Sequence, residues 1–365
     1  MLIQTLERLD RTRFRSILVI PRPGPLKKYA EEAGIETVIV SMKWWLSDQF
    51  HVWRQPFAWI WNIKSIKILL VIIKNRKVDL VFSNSVVNFS GAMAARIARR
   101  PHIWYLHELL GGQNSQIKFI LGKKSLIKII SAFSCLVAGN SQATLEPFSD
   151  PNKIRLVYNG IELTENPDRS FLGTREKLDL RKDDIILGMV GRVCPEKGQM
   201  EVLEAFALLK NEFPALKLLV AGEIKDKKYF LKLEKKVEDL SLQEDVLFTG
   251  RMEHILSVIH TMDILIVASR SESFGRVIIE AMSVKTPVVA VRSGGIPEII
   301  EDGINGFLLP SNDPGDLISG VQPLLENRDK AAAAVLKAAE TVEKKFNINV
   351  QVKKIERIIE ECIDQ

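Results

Sequence analysis

Two glutamates flank a predicted strand-to-helix turn in the stretch SRSESFGRVIIEAM, residues 269–282. Glu272 lies in the loop before the helix, and Glu280 lies about five residues into it, roughly 7–8 Å along the helix axis. Between them, Gly275 lets a phosphate approach the free N–H groups of the first helical turn. Carboxylates that accept hydrogen bonds from hydroxyls at both ends of a ligand, with an anion held in the middle, suit a nucleotide sugar.

A purely structural interpretation of these glutamates stays open. Glu272 can simply favour the positive end of the helix dipole, and Glu280 can be a surface residue. Glu280 lies among apolar residues in VIIEAM, however, and a carboxylate buried there needs a partner.

A second candidate segment, GRVCPEKG at residues 191–198, follows another predicted strand. It matches neither the P-loop pattern G-x-x-x-x-G-K-[ST] nor G-x-G-x-x-G. It places Arg192 and Lys197 near the carboxyl end of a parallel strand, where open α/β sheets bind ligands. An arginine fork with a lysine ammonium suits a diphosphate, although a solvated basic turn explains the same residues.

Short apolar runs alternate with helical patterns and predict the elements that position these residues. The runs are 15–21, 36–41, 79–84, 102–107, 135–140, 154–159, 184–191, 216–222, 246–250, 264–269, 287–291 and 306–310. Apolar strands separated by helices favour parallel sheets. Two such series predict an α/β protein with two doubly wound domains, joined through the polar segment 162–183. The expected domains are residues 1–163 and 164–346, followed by a C-terminal helix, 347–365, that packs back on the first domain.

Composition narrows the class of protein. The chain has 365 residues, of which 46% are hydrophobic and 26% charged, as in ordinary soluble proteins. Its cysteines lack metal-ligand spacing, and their small odd number favours a reducing compartment. The N-terminus has the pattern of an amphipathic helix rather than a signal peptide, and the longest apolar run, 68–73, is too short to span a bilayer. We therefore expect a cytoplasmic protein.

Charge is unevenly distributed along the chain. Residues 1–160 carry a net charge of +13, and the remainder carries −7. Five of the six tryptophans lie close together in the basic part, before the lysine-rich run NIKSIKILLVIIKNRK; they are Trp44, Trp45, Trp53, Trp59 and Trp61. Aromatic residues beside lysines suit an anionic membrane surface, although a tryptophan-rich core with a solvated lysine face is the alternative. The basic segment RIARR, 96–100, has no interleaved aromatic residues, so we expect no nucleic-acid partner.

Taken together, these segments resemble the family-4 retaining glycosyltransferases of the GT-B fold. The resemblance extends from about residue 10 to 350 and rests on the two segments above together with GGIPEII (294–300), VYNGI (157–161) and PHIWYLHE (101–108). Each motif alone is weak evidence for the family. All of them lie at predicted strand ends and occur in the family's order, so together they are a strong indication. The resemblance implies two Rossmann-like domains that face each other across a cleft, the first binding the acceptor and the second the nucleotide sugar.

The resemblance also implies roles for individual residues. Arg192 and Lys197 would bind the donor diphosphate, replacing a metal held by a D-x-D motif, which the sequence lacks. Glu280 would bind the ribose hydroxyls and Glu272 the transferred sugar. His107 would face the sugar or acceptor from the first domain, although it can instead cap a strand end. The further donor contacts expected from the resemblance are Gly191, Phe274, Gly275, Arg276 and, near the nucleobase, Arg251.

The implied activity is transfer of a sugar from a nucleoside-diphosphate donor to a saccharide or lipid-linked acceptor, with retention of configuration and without metal or other cofactor. Such a reaction fits the synthesis of cell-surface polysaccharide, lipopolysaccharide or glycolipid at the inner face of a membrane. Two alternatives stay open: a catalytically inactive relative that binds nucleotide sugars, and a sugar-nucleotide epimerase on the same fold. The epimerase would need acid and base residues that the few histidines do not obviously supply.

The beginning of the chain departs from the family pattern. Relatives begin with a strand and a Gly-rich loop, whereas this sequence begins within a helical pattern. We therefore expect the usual first strand to be missing, through a misplaced start or a truncation, which would leave neighbouring strand edges unpaired.

Overall fold

The computed structural model describes residues 2–47, 51–110, 117–163, 171 and 173–364. The chain divides into two compact units, Met1–Gly160 with Ile348–Gln365, and Ile161–Asn347. Both units combine helices with parallel sheets, so the predicted α/β class is confirmed. The predicted linker, 162–183, lies partly outside the described residues.

The first unit alternates helices and strands. Its described elements are α1 (Leu2–Arg8), β1 (Ile17–Ile20), α2 (Pro25–Glu32), β2 (Glu36–Ile39), a 3-10 turn (Val52–Arg54), α3 (Gln55–Asn75), β3 (Val81–Ser83), α4 (Ser90–Ile97), β4 (His102–Leu106), α5 (Gly122–Ala132), β5 (Leu136–Gly139), α6 (Gln142–Leu145) and β6 (Ile154–Leu156), with α14 (Ile348–Ile363) at the end of the chain.

The strands of the first unit form two separate parallel sheets, β1-β2 and β3-β4-β5-β6. Among the described strands none is hydrogen-bonded between β1 and β3, in line with the unpaired strand edges expected from the sequence. Side chains connect the two sheets instead. Val19 of β1 and Val81 of β3 pack against one apolar cluster that contains Val40, Leu69 and Ile73.

Helix α14 packs against the four-stranded sheet of the first unit. Val352 and Ile355 share a core cluster with Ile103 and Tyr105 of β4. The amide of Gln351 donates to the Tyr105 hydroxyl at 3.2 Å. The last helix is therefore part of the first unit, although the second unit precedes it in the sequence.

The second unit has one larger sheet. Its described elements are α7 (Thr174–Lys177), β7 (Ile185–Val190), a 3-10 turn (Pro195–Lys197), α8 (Gln199–Glu212), β8 (Leu216–Ala221), α9 (Lys227–Asp239), β9 (Val246–Gly250), α10 (Ile255–His260), β10 (Ile264–Val267), α11 (Arg276–Ser283), β11 (Val288–Val291), a 3-10 turn (Ile296–Glu298), β12 (Phe307–Leu309), α12 (Pro314–Glu326) and α13 (Asp329–Lys345).

The six described strands of this unit are parallel and ordered β12-β11-β10-β7-β8-β9. The strand order reverses between β7 and β10. In open α/β sheets, ligands bind beside the carboxyl ends of the strands at such a switch point. All twelve apolar runs contain a strand, so those predictions are confirmed. The run 264–269 yields only Ile264–Val267, and its last two residues enter the loop at the switch point.

One helix is longer and more continuously apolar than the short apolar runs of the sequence indicated. Val52–Asn75 forms a helix that is long and apolar enough to cross a membrane, by length and composition alone. The apolar runs of the sequence end at lysines, whereas the helix accommodates Lys64 and Lys67 on one surface without interruption. A core helix can meet the same criterion, but only 22% of the most apolar window here is buried.

The tryptophans divide between the two interpretations offered by the sequence. Trp45 is 2% exposed and stacks on Phe89 and Trp104, with ring centroids 4.7 and 6.0 Å away. Trp53 and Trp61 are instead largely exposed. Trp45 is thus a core residue, whereas its neighbour Trp44 is also largely exposed to solvent.

Candidate functional site

Residues expected to bind a ligand follow β7 and β10, the two strands at the switch point of the second unit. The segment 191–198 leaves β7 and ends in the 3-10 turn Pro195–Lys197. The loop 268–275 leaves β10 and ends at the start of α11. Because β7 and β10 are neighbours in the sheet, both loops emerge side by side at its carboxyl edge.

Lys197 and Glu272 meet between these loops. The Lys197 ammonium lies 2.5 Å from Glu272 Oε2 and 3.4 Å from the hydroxyl of Ser269. Both charged side chains are partly buried, with 23% and 18% of their surface exposed. The structure thus brings together two of the predicted residues, 75 positions apart in the sequence.

Backbone contacts connect the two loops and fix their relative positions. The N–H of Arg270 donates to Glu196 O at 3.0 Å, which joins the loop after β10 to the loop after β7. A side chain at Gly198 would lie 2.5 Å from the Ala268 carbonyl oxygen, so the close approach requires glycine there. The N–H of Gly295 donates to Glu272 O at 3.0 Å and links the third loop, after β11.

Helix α11 begins at Gly275, which adopts φ 91°. A glycine tolerates this left-handed conformation, so the chain turns sharply and presents the first-turn N–H groups at the edge of the sheet. Phe274 is buried and packs edge-on against Phe346, with ring centroids 5.7 Å apart, which anchors the turn. The helix start therefore lies where the sequence predicted it.

Glu280 has a partner within its own helix. Its carboxylate lies 2.9 Å from Arg276 Nε, one turn earlier, and only 13% of the side chain is exposed. Burial raises the pKa of Glu280 above its usual value, while the Arg276 guanidinium opposes the rise. The sequence predicted that a carboxylate buried at Glu280 needs a partner. That partner is Arg276, which was expected to contact the donor, and its charge partly offsets the cost of burying the carboxylate.

Arg192 and Arg251 stand apart from this network. Both side chains are exposed and make no hydrogen bond or ion pair with the residues that the structure describes. Arg192 follows Gly191 directly after β7, whereas Arg251 follows β9 at the outer edge of the sheet. Arg192 is consequently available to an anionic ligand without breaking an existing contact.

His107 belongs to the first unit and directly follows β4. Its Nε2 lies 2.9 Å from Asn84 Oδ1, and its ring centroid is 4.3 Å from that of Tyr105. Burial lowers the pKa of His107 to about 4, so the imidazole is neutral at pH 7. The amide oxygen can only accept, so Nε2 carries the proton and Nδ1 is left as an acceptor.

Sequence reasoning missed several polar residues around these side chains. Ser269 contacts Lys197, and the Ser293 hydroxyl donates to the Ser269 carbonyl at 2.8 Å. Beside His107, Glu108 accepts from the Ser85 hydroxyl at 2.5 Å. The sequence could have indicated these residues by their position, because each lies in a loop that follows a strand. In the described ranges, no group of three His, Cys, Asp or Glu side chains could hold a metal ion.

Family comparisons match both halves of the chain. Residues 172–342 match the glycosyl transferases group 1 model, and residues 1–165 match the Glycosyltransferase Family 4 model. Together the two matches cover most of the sequence, and each corresponds to the main part of one structural unit. The chain belongs to the group 1 glycosyltransferases, with an N-terminal half of the family-4 type.

Curated relatives resemble part of the chain. A D-inositol 3-phosphate glycosyltransferase of Corynebacterium kroppenstedtii is 31% identical over 54% of this chain and 46% of its own length. The N-acetyl-alpha-D-glucosaminyl L-malate synthase of Bacillus anthracis is 27% identical over 63% of this chain and 58% of its own length. The chain thus spans about half the length of the curated relatives it matches.

Solved structures resemble nearly the whole chain. A glycosyltransferase from Rickettsia africae has a TM-score of 0.83 and 23% identity, covering 100% of this chain and 94% of its own. HepE of Anabaena, solved with UDP and glucose, has a TM-score of 0.80 and 23% identity, covering 98% and 94%. These are GT-B glycosyltransferase structures, so the predicted fold is confirmed at this level.

Proposed function

We propose that this protein transfers a sugar from a nucleoside-diphosphate donor to a saccharide or lipid-linked acceptor. One observation carries the proposal: Lys197 and Glu272 are paired at the carboxyl ends of β7 and β10, at the switch point of a doubly wound sheet. Ligands bind at such points in open α/β sheets. The family to which the chain belongs supports the reaction class.

The donor diphosphate is assigned to Lys197, Arg192 and the N-terminus of α11. An ammonium has three N–H donors, and the observed contacts to Glu272 and Ser269 occupy two, which leaves one for a phosphate oxygen. The exposed Arg192 adds a planar pair of donors. Negative charge grows on the diphosphate as the glycosyl bond breaks, so these preorganised positive groups favour the transition state.

The two ends of the donor are assigned to the glutamates. Glu272 accepts from hydroxyls of the transferred sugar, and Glu280 accepts from the ribose, with the Arg276 guanidinium paired to its carboxylate. UDP is the first nucleotide to try, because HepE of Anabaena was solved with UDP and with UDP-glucose. Gly191, Phe274 and Gly275 contribute backbone to the same site.

The acceptor is assigned to the first unit. Neutral His107, with Nδ1 as an acceptor, can orient an acceptor hydroxyl or a sugar hydroxyl. Retention of configuration and independence from metal follow from the resemblance to family-4 enzymes, with Lys197 and Arg192 supplying the positive charge. We place the reaction in the cytoplasm at the inner membrane face, in polysaccharide or glycolipid synthesis.

Thermal shift with UDP, GDP, ADP and dTDP, followed by transfer of radiolabelled sugar to a membrane extract, tests this function. A ligand that binds only the folded protein raises the melting temperature. Arg192→Ala should weaken nucleotide binding about tenfold, because a hydrogen bond to a charged group contributes about 1.5 kcal/mol or more. Arg100→Ala, which removes an exposed arginine of the first unit, is the matched control.

Each outcome separates the readings of the site. Donor binding with labelled transfer supports the glycosyltransferase, and binding without transfer to any extract supports an inactive relative. Conversion of the sugar nucleotide without an acceptor identifies an epimerase. If no nucleoside diphosphate shifts the melting temperature, the proposed site is wrong.

A further inference from the structure

Helix α3 of the first unit turns its apolar side to solvent. The side packed on the unit carries Gln55, Asn62 and Ser65 beside Leu69 and Ile73. The opposite side, the α3 surface, exposes large apolar residues between 40% and 68%: Phe57, Ile60, Trp61, Ile63, Ile68 and Val71. Helices on the surface of water-soluble domains normally have the reverse distribution.

Hydrogen bonds fix which way this helix faces. The Asn62 side chain accepts from Lys43 N–H at 2.9 Å and donates to Lys43 O at 2.8 Å. The Ser65 hydroxyl donates to Ser41 O at 2.6 Å. A rotation of α3 that buried the apolar side would break these bonds and leave buried polar groups unpaired. The helix is therefore held along the body of the unit, with its apolar side outward.

Charge on this surface has a single sign. Between residues 49 and 78 the sequence has no acidic residue, and it has six basic ones: Arg54, Lys64, Lys67, Lys74, Arg76 and Lys77. Lys64 and Lys67 are exposed on the same side as the apolar residues. Long lysine side chains can extend from an apolar surface to reach phosphate groups.

A neighbouring segment continues the same chemistry. The Gln55 amide donates to Lys118 O at 2.7 Å, and its oxygen accepts from Ile120 N–H at 2.9 Å. These bonds hold Ile120 and Leu121, both exposed, beside the first turn of α3. The exposed Lys123 and Lys124 follow. Apolar and cationic residues thus recur on a second element next to the helix.

We propose that the α3 surface binds an anionic lipid bilayer, with the helix lying parallel to the membrane. Apolar side chains enter the boundary between headgroups and acyl chains, and the lysines contact lipid phosphates. The α3 surface would be the part of the protein that contacts the membrane, and this proposal rests on the membrane location given under the proposed function. A second copy of the chain fits poorly, because self-association would bring like charges together.

Sedimentation of the full chain with vesicles tests the surface directly. The protein should bind phosphatidylcholine vesicles that contain phosphatidylglycerol, more weakly at high salt, and should bind pure phosphatidylcholine poorly. Lys64→Glu/Lys67→Glu should weaken binding more than tenfold, since each cation near such a membrane contributes roughly fivefold. Lys232→Glu/Lys235→Glu, which makes the same charge change on exposed positions of α9, should have little effect.

A second variant pair tests the apolar part. Ile60→Ser/Val71→Ser should also weaken binding, whereas Leu231→Ser/Leu336→Ser, with both leucines 63% exposed in the second unit, should not. Equal vesicle binding by the variants and their controls would overturn the proposal, as would dimers that dissociate on Lys64→Glu/Lys67→Glu without any vesicle binding. Nucleotide binding by thermal shift should be unchanged in all four variants, so failure here is distinguishable from failure of the donor site.

Discussion

At the residue scale, side chains of the second unit that we propose to bind the ligand also affect the stability of the folded state. Glu280 is the clearest example, because its carboxylate is mostly buried and pairs with Arg276. Burial raises the pKa of Glu280, so the folded state binds its proton more tightly than the unfolded state does. This group therefore favours folding at low pH, and that contribution is lost as the pH rises through the raised pKa.

Glu280→Gln separates these two roles. At neutral pH we expect an unchanged melting temperature or a rise of about 2–4 °C, because the buried charge is removed. We expect nucleotide affinity to fall about tenfold, since an amide accepts a ribose hydroxyl more weakly than a carboxylate does. Melting curves with and without UDP give both values, and Glu234→Gln, an exposed glutamate of α9, is the control. A large loss of stability would show that the Arg276 contact outweighs burial.

At the element scale, the sequence predicted the strands far better than it predicted which side chains meet. Continuous apolar runs such as 216–222 identify strands buried on both faces, because the pattern is local. The Lys197–Glu272 contact joins residues 75 apart and depends on β7 and β10 being neighbours, which no local pattern encodes. The Arg276–Glu280 pair was within reach of sequence reasoning, since helical residues four apart face each other.

Gly198 tests how strictly the loop after β7 is positioned. Gly198→Ala should destabilise the protein by about 1–3 kcal/mol, because the residue has φ 72° and its new side chain would collide with the Ala268 carbonyl. The displaced loop should also weaken UDP binding through Lys197. Gly315→Ala, where no atom lies within 4 Å of the added carbon, is the matched control for denaturant unfolding. Equal midpoints for the two variants would contradict this description of the loop.

Strand β4 begins at the buried His102 and is followed directly by the half-buried His107, and we expect both histidines to make the first unit sensitive to acid. Burial lowers the pKa of His102 to about 3 and of His107 to about 4. The unfolded chain binds these protons from about pH 6.5 downward, so stability should fall as the pH drops from about 6.5 toward 4. The loss from His107 alone should be on the order of 3 kcal/mol.

His107→Gln should flatten this acid limb in urea unfolding followed from pH 7.5 to about 4.5, while His254→Gln, an exposed control, should leave it unchanged. The variant is expected to be somewhat less stable at pH 7.5, because its contact with Asn84 is altered. An identical pH dependence for wild type and His107→Gln would show that other groups control the acid response.

At the scale of the whole molecule, the chain leaves the first unit, forms the second and returns through α14. The polar network beneath that helix, in which the Tyr105 hydroxyl donates to Val157 O at 2.8 Å, is buried in the first unit. Periodicity predicted the helix, but its burial surface depends on long-range packing against β4. The outward apolar side of α3 was likewise hidden from sequence reasoning, because periodicity does not tell which side of a helix is covered.

Ile355→Ala should measure how much α14 contributes. The residue is 4% exposed in the core of the first unit, so its truncation should cost about 2–4 kcal/mol. Ile363→Ala on the same helix, at a 47% exposed position, should cost well under 1 kcal/mol. Urea unfolding should be followed with UDP present, because UDP should stabilise only the second unit. The lost stability of Ile355→Ala should then appear in the unfolding transition of the first unit, which UDP does not shift. Equal costs for the two variants would mean that α14 is not packed as described.

The central claim is that the second unit binds a nucleotide sugar at the carboxyl edge of β7 and β10 through Lys197. Calorimetric titration of UDP into wild type, Lys197→Ala and Lys235→Ala measures this most directly. We expect Lys197→Ala to bind about 10–100 times more weakly, because it loses a charged hydrogen bond to phosphate, and Lys235→Ala to bind like wild type. If Lys197→Ala binds UDP as tightly as wild type does, the nucleotide lies elsewhere and the site is wrong.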